Sequence, residues 1–470
     1  MGIPILGANS ASGFDISNSL RFNDGDQPVL SRNPSSTGNR RTFTISAWVK
    51  RCKTDNVDES IFNSNVDSGN NRFTFGISNA GNILIYNRTG GTTYSLASND
   101  VLSDPSAWYH CVCIIDSTDS TEADRMRMYV NGTRITSFAD NVPISSQNVE
   151  TAVNRDDTTH AIGDKQWETS HFDGYISEHY FLDGVAYEPT YFAETNENGV
   201  WVPKQYTGGN FGTNGHFLQF KQTGTSANSS GIGADTSGND NHYTPTNLAA
   251  IDVTSDTPTN NFCTLSSVDN NGFVLTEGNL DFDSSSGSDE GVRGTMGVLA
   301  GKWYYECKIT GGSGVGLSAG NVGYSQSTMK LNNNPRGGQC IVMNGSSSIN
   351  FYNFSSSAVV LDASSGVGQN DIVGVALDLD SGTKTIQFYK NGSTIGSAQT
   401  IASGLLQGDF FIPSMFDDGG VNDVIGSFNF GQPTFSISSG NADDNGYGNF
   451  EYAPPSGYYA LCTKNLGEHG

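Results

Sequence analysis

The chain has 470 residues, with 48 Asp and Glu against 24 Lys and Arg, a formal charge of −24 at pH 7 that repels a phosphate backbone and excludes nucleic acid as a partner. Only 15% of the residues are charged and 57 are Gly, and the abundance of Gly, Ser, Thr and Asn supplies turn chemistry at the expense of helix formers. Long helices are therefore excluded, and the expected fold class is all-β, with two tandem antiparallel β-sandwich domains because one core rarely serves so long a chain.

Residues 1–18 read as an N-terminal arm. Ile3 to Leu6 form a short apolar stretch with no basic run before it, so no secretory signal is expected. Position 6 is Leu6 where a myristoylation acceptor pattern wants Ser or Thr, and no run of 18 apolar residues follows, so membrane insertion is not expected either.

Residues 19–203 carry short apolar runs separated by Gly, Asn, Asp and Ser, the spacing of a sandwich. Phe43, Ile45, Ala47 and Val49 alternate with Thr44, Ser46 and Lys50, which predicts a half-buried strand. Further strands are predicted over 72–77, 82–86, 108–115, 125–130 and 172–182. Asn131-Gly132 follows Tyr129-Val130 and predicts a tight hairpin with φ > 0 at both turn positions. Cys111 and Cys113 lie two apart and share a strand face beside Tyr109, as small core residues do; a zinc half-site there would need a second pair or a His cluster at suitable spacing. The chain's seven cysteines are scattered, so a disulfide framework is not expected.

Between Gly163 and Phe172 the run Asp164-Lys165-Gln166-Trp167-Glu168-Thr169-Ser170-His171 sets an aromatic ring among polar groups, the mixture that stacks on a sugar face and bonds its hydroxyls. Trp167, Asp164 and His171 are thus the candidate ligand-binding residues, with a partly buried structural Trp167 as the competing reading. The Asp-rich loops could also hold calcium, though no ligand set is assigned and no other cofactor is expected.

Residues 204–267 turn to Thr, Asn, Gly and Asp and read as an ordered linker whose apolar islands, Phe217-Leu218-Gln219-Phe220 and Phe262-Cys263-Thr264-Leu265, could add edge strands to a neighbour. Strand patterning returns over 268–437, with strands predicted at 303–309, 349–352, 372–377 and 385–389 and a second Asn-Gly turn at Asn391-Gly392. The tail, 438–470, with its Pro454-Pro455-Ser456-Gly457-Tyr458-Tyr459 run, reads as an extended arm that packs on a neighbour.

No catalytic constellation stands out. A glucanase strand would alternate two Glu with an Asp, and the nearest matches, Asp281 with Asp283, Asp252 with Asp256, and Asp378 with Asp380, include no Glu at the alternate position. Asp378 and Asp380 precede Ser381-Gly382-Thr383, where Asp caps a turn through backbone N–H groups. There is no HExxH pair, and no Gly-x-Ser-x-Gly elbow opens a helix. The chain is expected not to be an enzyme.

On these residues the first half resembles the laminin-G-like branch of the concanavalin-A-like sandwiches, through Ser19-Leu20-Arg21-Phe22-Asn23, Phe43-Thr44-Ile45-Ser46-Ala47-Trp48-Val49, Trp108-Tyr109-His110, Tyr129-Val130-Asn131-Gly132, Ile162-Gly163 and Phe172-Asp173-Gly174-Tyr175-Ile176. The second half resembles a SPRY domain, through Gly301-Lys302-Trp303-Tyr304-Tyr305-Glu306-Cys307, the run from Asp371 to Asp380, Phe388-Tyr389-Lys390-Asn391-Gly392 and Phe428-Asn429-Phe430-Gly431. Both resemblances imply jelly rolls that bind glycans or protein surfaces through loops, with residues 329–336 and 416–423 the positional candidates in the second half. The pairing of the two, with the Pro-Pro-Ser-Gly-Tyr ending, is also similar in style to structural proteins of marine tailed phages. That likeness implies a virion component, a tail fibre, spike or capsid-surface protein, contacting host-surface glycans or other virion proteins as a homo-oligomer, for which a trimer would suit a fibre. The alternatives are a polysaccharide-degrading glycoside hydrolase of the concanavalin-A-like superfamily and a cell-surface adhesin.

Overall fold

The computed structural model describes residues 13–53, 58–67, 69–164, 171–284, 289–311, 317–326, 340–345, 348–353, 357–364, 366–401, 410–418 and 423–470. The chain divides into two compact units, one ending at Asn260 and the other beginning at Asn261, and each is an antiparallel sandwich of two large sheets.

In the first unit, the strand Thr42–Arg51 lies in the middle of one sheet. It pairs with Trp108–Asp116 on one side, Phe43 opposite Ile115 and Val49 opposite Tyr109, and with Gly174–Asp183 on the other. Ser19–Phe22 continues the sheet beyond Gly174–Asp183. The facing sheet has Asn71–Ile77, Glu59–Asp67 and Asn82–Thr89 at its centre. Strand alternation sends Phe43, Ile45, Ala47, Val49, Cys111 and Cys113 inward against Phe62, Phe73, Phe75 and Ile85. Burial there pushes both thiols above their usual range, so they stay protonated core residues.

The expected half-buried strand is corrected by the structure, because its other face is buried too: Thr44 and Lys50 have no exposed surface, and Trp48 only 2%. Residues after Asp183 fold back over that face. Trp48 packs with Trp108, Tyr175, Ala193 and Trp201, while the Lys50 ammonium meets the Asp256 carboxylate at 2.8 Å with both side chains fully buried. Asp256 also accepts the Trp108 indole N–H at 3.1 Å. Residues 204–260 further supply His216–Leu218 to Gly174–Asp183, Thr244–Thr246 to Val29–Arg32 and Val253–Thr254 to Ser19–Phe22. The segment is thus built into both sheets of the first sandwich.

The second unit repeats the arrangement. Lys302–Gly311 pairs with Ile372–Asp378, Trp303 opposite Leu377, and with Ile425–Asn429. Trp303, Tyr305, Cys307 and Ile309 face the inter-sheet core, and Tyr304 and Glu306 face away from it. The tail covers that outer face: Tyr459–Ala460 adds a parallel pairing to Trp303 and Tyr304, and Thr463–His469 is a short helix. Fully buried Glu306 accepts the backbone N–H groups of Glu451 and Tyr452 at 3.0 and 2.8 Å and the Asn429 amide at 3.1 Å. Both Asn-Gly turns are as the sequence predicts, with φ of 47° and 75° at Asn131-Gly132 and 48° and 78° at Asn391-Gly392.

Removing one partner of a buried ion pair leaves an uncompensated charge, so Asp256→Ala should cost about 3–5 kcal/mol of stability. Chemical denaturation of the full chain checks this: the first unit's transition moves to lower denaturant, while the second unit's does not.

Candidate functional site

The outer face of the first unit's main sheet is where its geometry departs from regular strand. Ile176 pairs with Val49 and Ser177 with Trp48, and pairing resumes at Tyr180 with Ser46, so Gly174–Asp183 carries one extra residue. Without it, Ile176 and Phe181, five positions apart, would face opposite sides; the bulge turns both into the inter-sheet core. Glu178 absorbs the distortion at φ 49°, a left-handed conformation that is strained for a residue with a side chain.

Glu178 is only 4% exposed and accepts the Tyr180 hydroxyl at 2.9 Å. Burial raises its pKa to about 7, opposed by the Tyr180 and Gln219 hydrogen bonds and the Lys221 charge. The neighbouring His179 turns inward, where its Nδ1 lies 3.0 Å from the His216 Nε2.

Outside the bulge, aromatic rings form stacked pairs: Tyr180 on Phe217 with centroids 4.1 Å apart and planes 9° from parallel, and Phe192 on Tyr206 at 5.4 Å and 10°. Tyr180, Phe217 and Tyr206 border an open cleft of about 280 Å³, which Phe14, Gln205, Thr207, Gly209, Phe211 and Gln219 also line. Glycine shapes the loop that carries much of this lining. Gly212 has φ 70°, and a Cβ on it would stand 2.0 Å from the Asp183 carbonyl oxygen, so only glycine lets the loop turn so close to the strand end.

Of the residues singled out in the sequence, Asp164 and His171 are brought together as an isolated antiparallel bridge, with the imidazole Nδ1 3.4 Å from the carboxylate. The Phe172 N–H donates to the Gly163 carbonyl at 2.9 Å just outside them. Trp167 lies outside the described residues, as do residues 329–336 and 419–422 of the two loops named in the second half. Among the described residues, no three His, Cys, Asp or Glu side chains converge as a metal site would require.

Of the carboxylates weighed as catalytic, Asp252, Asp256, Asp281, Asp378 and Asp380 have structural partners, while Asp283 is exposed beside the charge of Asp423. Asp378 accepts the Asp380 and Ser381 backbone N–H groups and the Ser381 hydroxyl, a turn cap. Asp252 bonds Arg21 and the Ala249 N–H, Asp256 holds Lys50, and Asp281 accepts the Thr434 hydroxyl. One Ser–His contact invites attention, Ser46 Oγ to His110 Nε2 at 2.8 Å. The Trp201 indole, a donor only, bonds the His110 Nδ1 at 3.1 Å. Nδ1 must then be the acceptor and Nε2 must carry the proton, so the imidazole donates to Ser46 and cannot act as its base.

Against this geometry, residues 23–187 match the concanavalin A-like lectin/glucanases superfamily, in its Laminin_G_3 member, and residues 302–433 match the SPRY domain. The chain carries a concanavalin A-like domain followed by a SPRY domain. Among solved structures it is similar to the SPRY domain of human HERC1, at 18% identity over 35% of this chain and 96% of that one, TM-score 0.29. It is also similar to domains LG4-5 of the mouse laminin alpha1 chain, at 8% identity over 89% and 90%, TM-score 0.28. A third is the heptameric SAP-like pentraxin of Limulus polyphemus, at 18% identity over 37% and 80%, TM-score 0.26. No curated protein matches the chain. The concanavalin A-like match ends at residue 187, so most of the cleft lining comes from chain beyond it. The sequence signal for that lining was the Phe217-to-Phe220 island, identified as a possible edge strand, but nothing in it announced a cleft.

Because the Glu178 pKa is raised, its contribution to stability is fully present below about pH 4.5 and is lost as pH rises through about 7. Denaturation at pH 5 and pH 8 should therefore show the native chain losing up to about 3 kcal/mol more than Glu178→Gln over that interval. Titrations common to both proteins cancel in the difference.

Proposed function

We propose that the chain is a non-catalytic binding protein whose first domain contacts carbohydrate and whose second contacts protein. The observation that carries this reading is the cleft at the bulge, where half-exposed Tyr206, Phe211 and Phe217 stand beside Gln205, Thr207 and Gln219. Aromatic faces with a few adaptable polar groups suit a ligand that is apolar on its faces and hydroxylated at its edges. The disarmed Ser46–His110 contact and the structural bonding of Asp252, Asp256, Asp281 and Asp378 speak for binding without turnover. The superfamily of the first domain includes glucanases as well as lectins by name, so hydrolysis is the rival to test.

The finer reading places the chain on a phage virion, as a tail fibre, spike or capsid-surface component present as a homo-oligomer. What supports it is the style of the sequence, two binding-type sandwiches with a Pro-Pro-Ser-Gly-Tyr ending, and the multivalency by which weak sites gain avidity. Among the described residues, no helix is long and apolar enough to cross a membrane.

Incubation of the full chain with a panel of marine polysaccharides should give retention in affinity electrophoresis and no release of reducing ends. Release of reducing sugar would overturn the non-catalytic reading. Trp167→Ala, between Asp164 and His171 in the sequence, should reduce retention modestly.

A further inference from the structure

We propose that the cleft over the Glu178 bulge is the binding site for an uncharged pyranose ring, an inference that rests on the carbohydrate-binding reading above. Three features select this ligand. The first is the form of the aromatic wall. Tyr180 and Phe217 are parallel within 9°, and Phe192 and Tyr206 within 10°, while Tyr206 is tilted by 49° to Tyr180 and by 58° to Phe211, so the wall of the cleft is a continuous aromatic cluster. The half-exposed rings of that cluster, Tyr206, Phe211 and Phe217, present apolar surface on which the C–H face of a sugar ring can pack.

The second feature is the polar rim. Gln205 and Thr207 are exposed and Gln219 is half-buried at the opening. An amide or hydroxyl both donates and accepts, as sugar hydroxyls do, while a purely apolar occupant such as a partner's leucine would leave these groups without partners. The third is charge. Among the described residues no charged side chain lines the cleft; the Glu178 carboxyl behind it is bonded to the Tyr180 hydroxyl and feels the Lys221 charge. A uronate or sulfated sugar would find no cation in the lining, and a net charge of −24 opposes its approach. The volume of about 280 Å³ lies just below the range of small-molecule sites, roughly 300–1,000 Å³, which favours one ring of a chain over a long bound stretch.

Isothermal titration of the full chain with neutral gluco-, galacto- and manno-oligosaccharides, an oligouronate and choline tests the proposal. We expect saturable binding of a neutral oligosaccharide, weakened about tenfold or more by Tyr206→Ala and measurably by the surface change Gln205→Ala. Gln205→Ala should leave the unfolding midpoint unchanged, so a loss of binding there is not a loss of fold. If sugar binds both variants as tightly as the native chain, the carbohydrate reading stands and the assignment to this cleft fails. If the oligouronate or choline binds the cleft better than every neutral sugar, the ligand class is wrong. If nothing on the panel binds, the carbohydrate reading itself falls.

Discussion

Each sandwich in this chain has a sheet whose outer face carries large rings that need cover, Trp48 and Trp108 in the first unit and Tyr304 in the second, beside one ionisable group. In the first unit that face carries Lys50, fully buried, and in the second it carries Glu306, equally buried. A charge or carboxyl in such a place is tolerated only when its partners are fixed. The partners come from chain that follows the strands: Asp256 reaches Lys50, and the backbone of Glu451 and Tyr452 reaches Glu306. The same physical problem, solved twice, explains why neither the Thr/Asn/Gly-rich stretch before Asn260 nor the segment after Phe435 hangs away from its sandwich. The ion pair is better understood as a device that fixes where the cover sits than as a large net source of stability.

A cover made of irregular chain does not fit a sheet as evenly as another sheet would. Stacked aromatics fill most of the space over Tyr180 and Leu182, and the glycine-wound loop after Tyr206 leaves the remainder open. The bulge at Glu178 belongs to the same arrangement, since it sets Tyr180 outward and Phe181 inward with one inserted residue. Fold and candidate site therefore have one cause, the need to close the outer face, and strain at Glu178 marks the point where sheet regularity yields to it.

The sandwiches themselves were legible in the sequence because period-two alternation and Asn-Gly turns are local signals, and strand positions such as 108–115 and 372–377 lie within the observed strands. The covering was not legible for the opposite reason. Thr44, Ser46 and Lys50 look like solvent-facing residues when only neighbours in sequence are considered, and the groups that bury them stand up to 206 residues away, as Asp256 does from Lys50. One clue was present but unread: Ile176 and Phe181 cannot share a face on a regular strand, so an extra residue between them was required. Asp164 and His171 were singled out for the polar character of their run and not for the bridge they form, and the cleft lay in chain whose composition resembled a connector.

Native-state hydrogen exchange measures the central claim most directly, because it asks whether the cover and the sheet beneath it are one cooperative unit. The amides of Lys204, bonded to the Phe192 carbonyl, and of Asp256 should exchange only through the opening that also releases Val49 and Cys113. Exchange of the covering amides by a separate, much lower-energy opening, with Val49 and Cys113 still protected, would contradict the account.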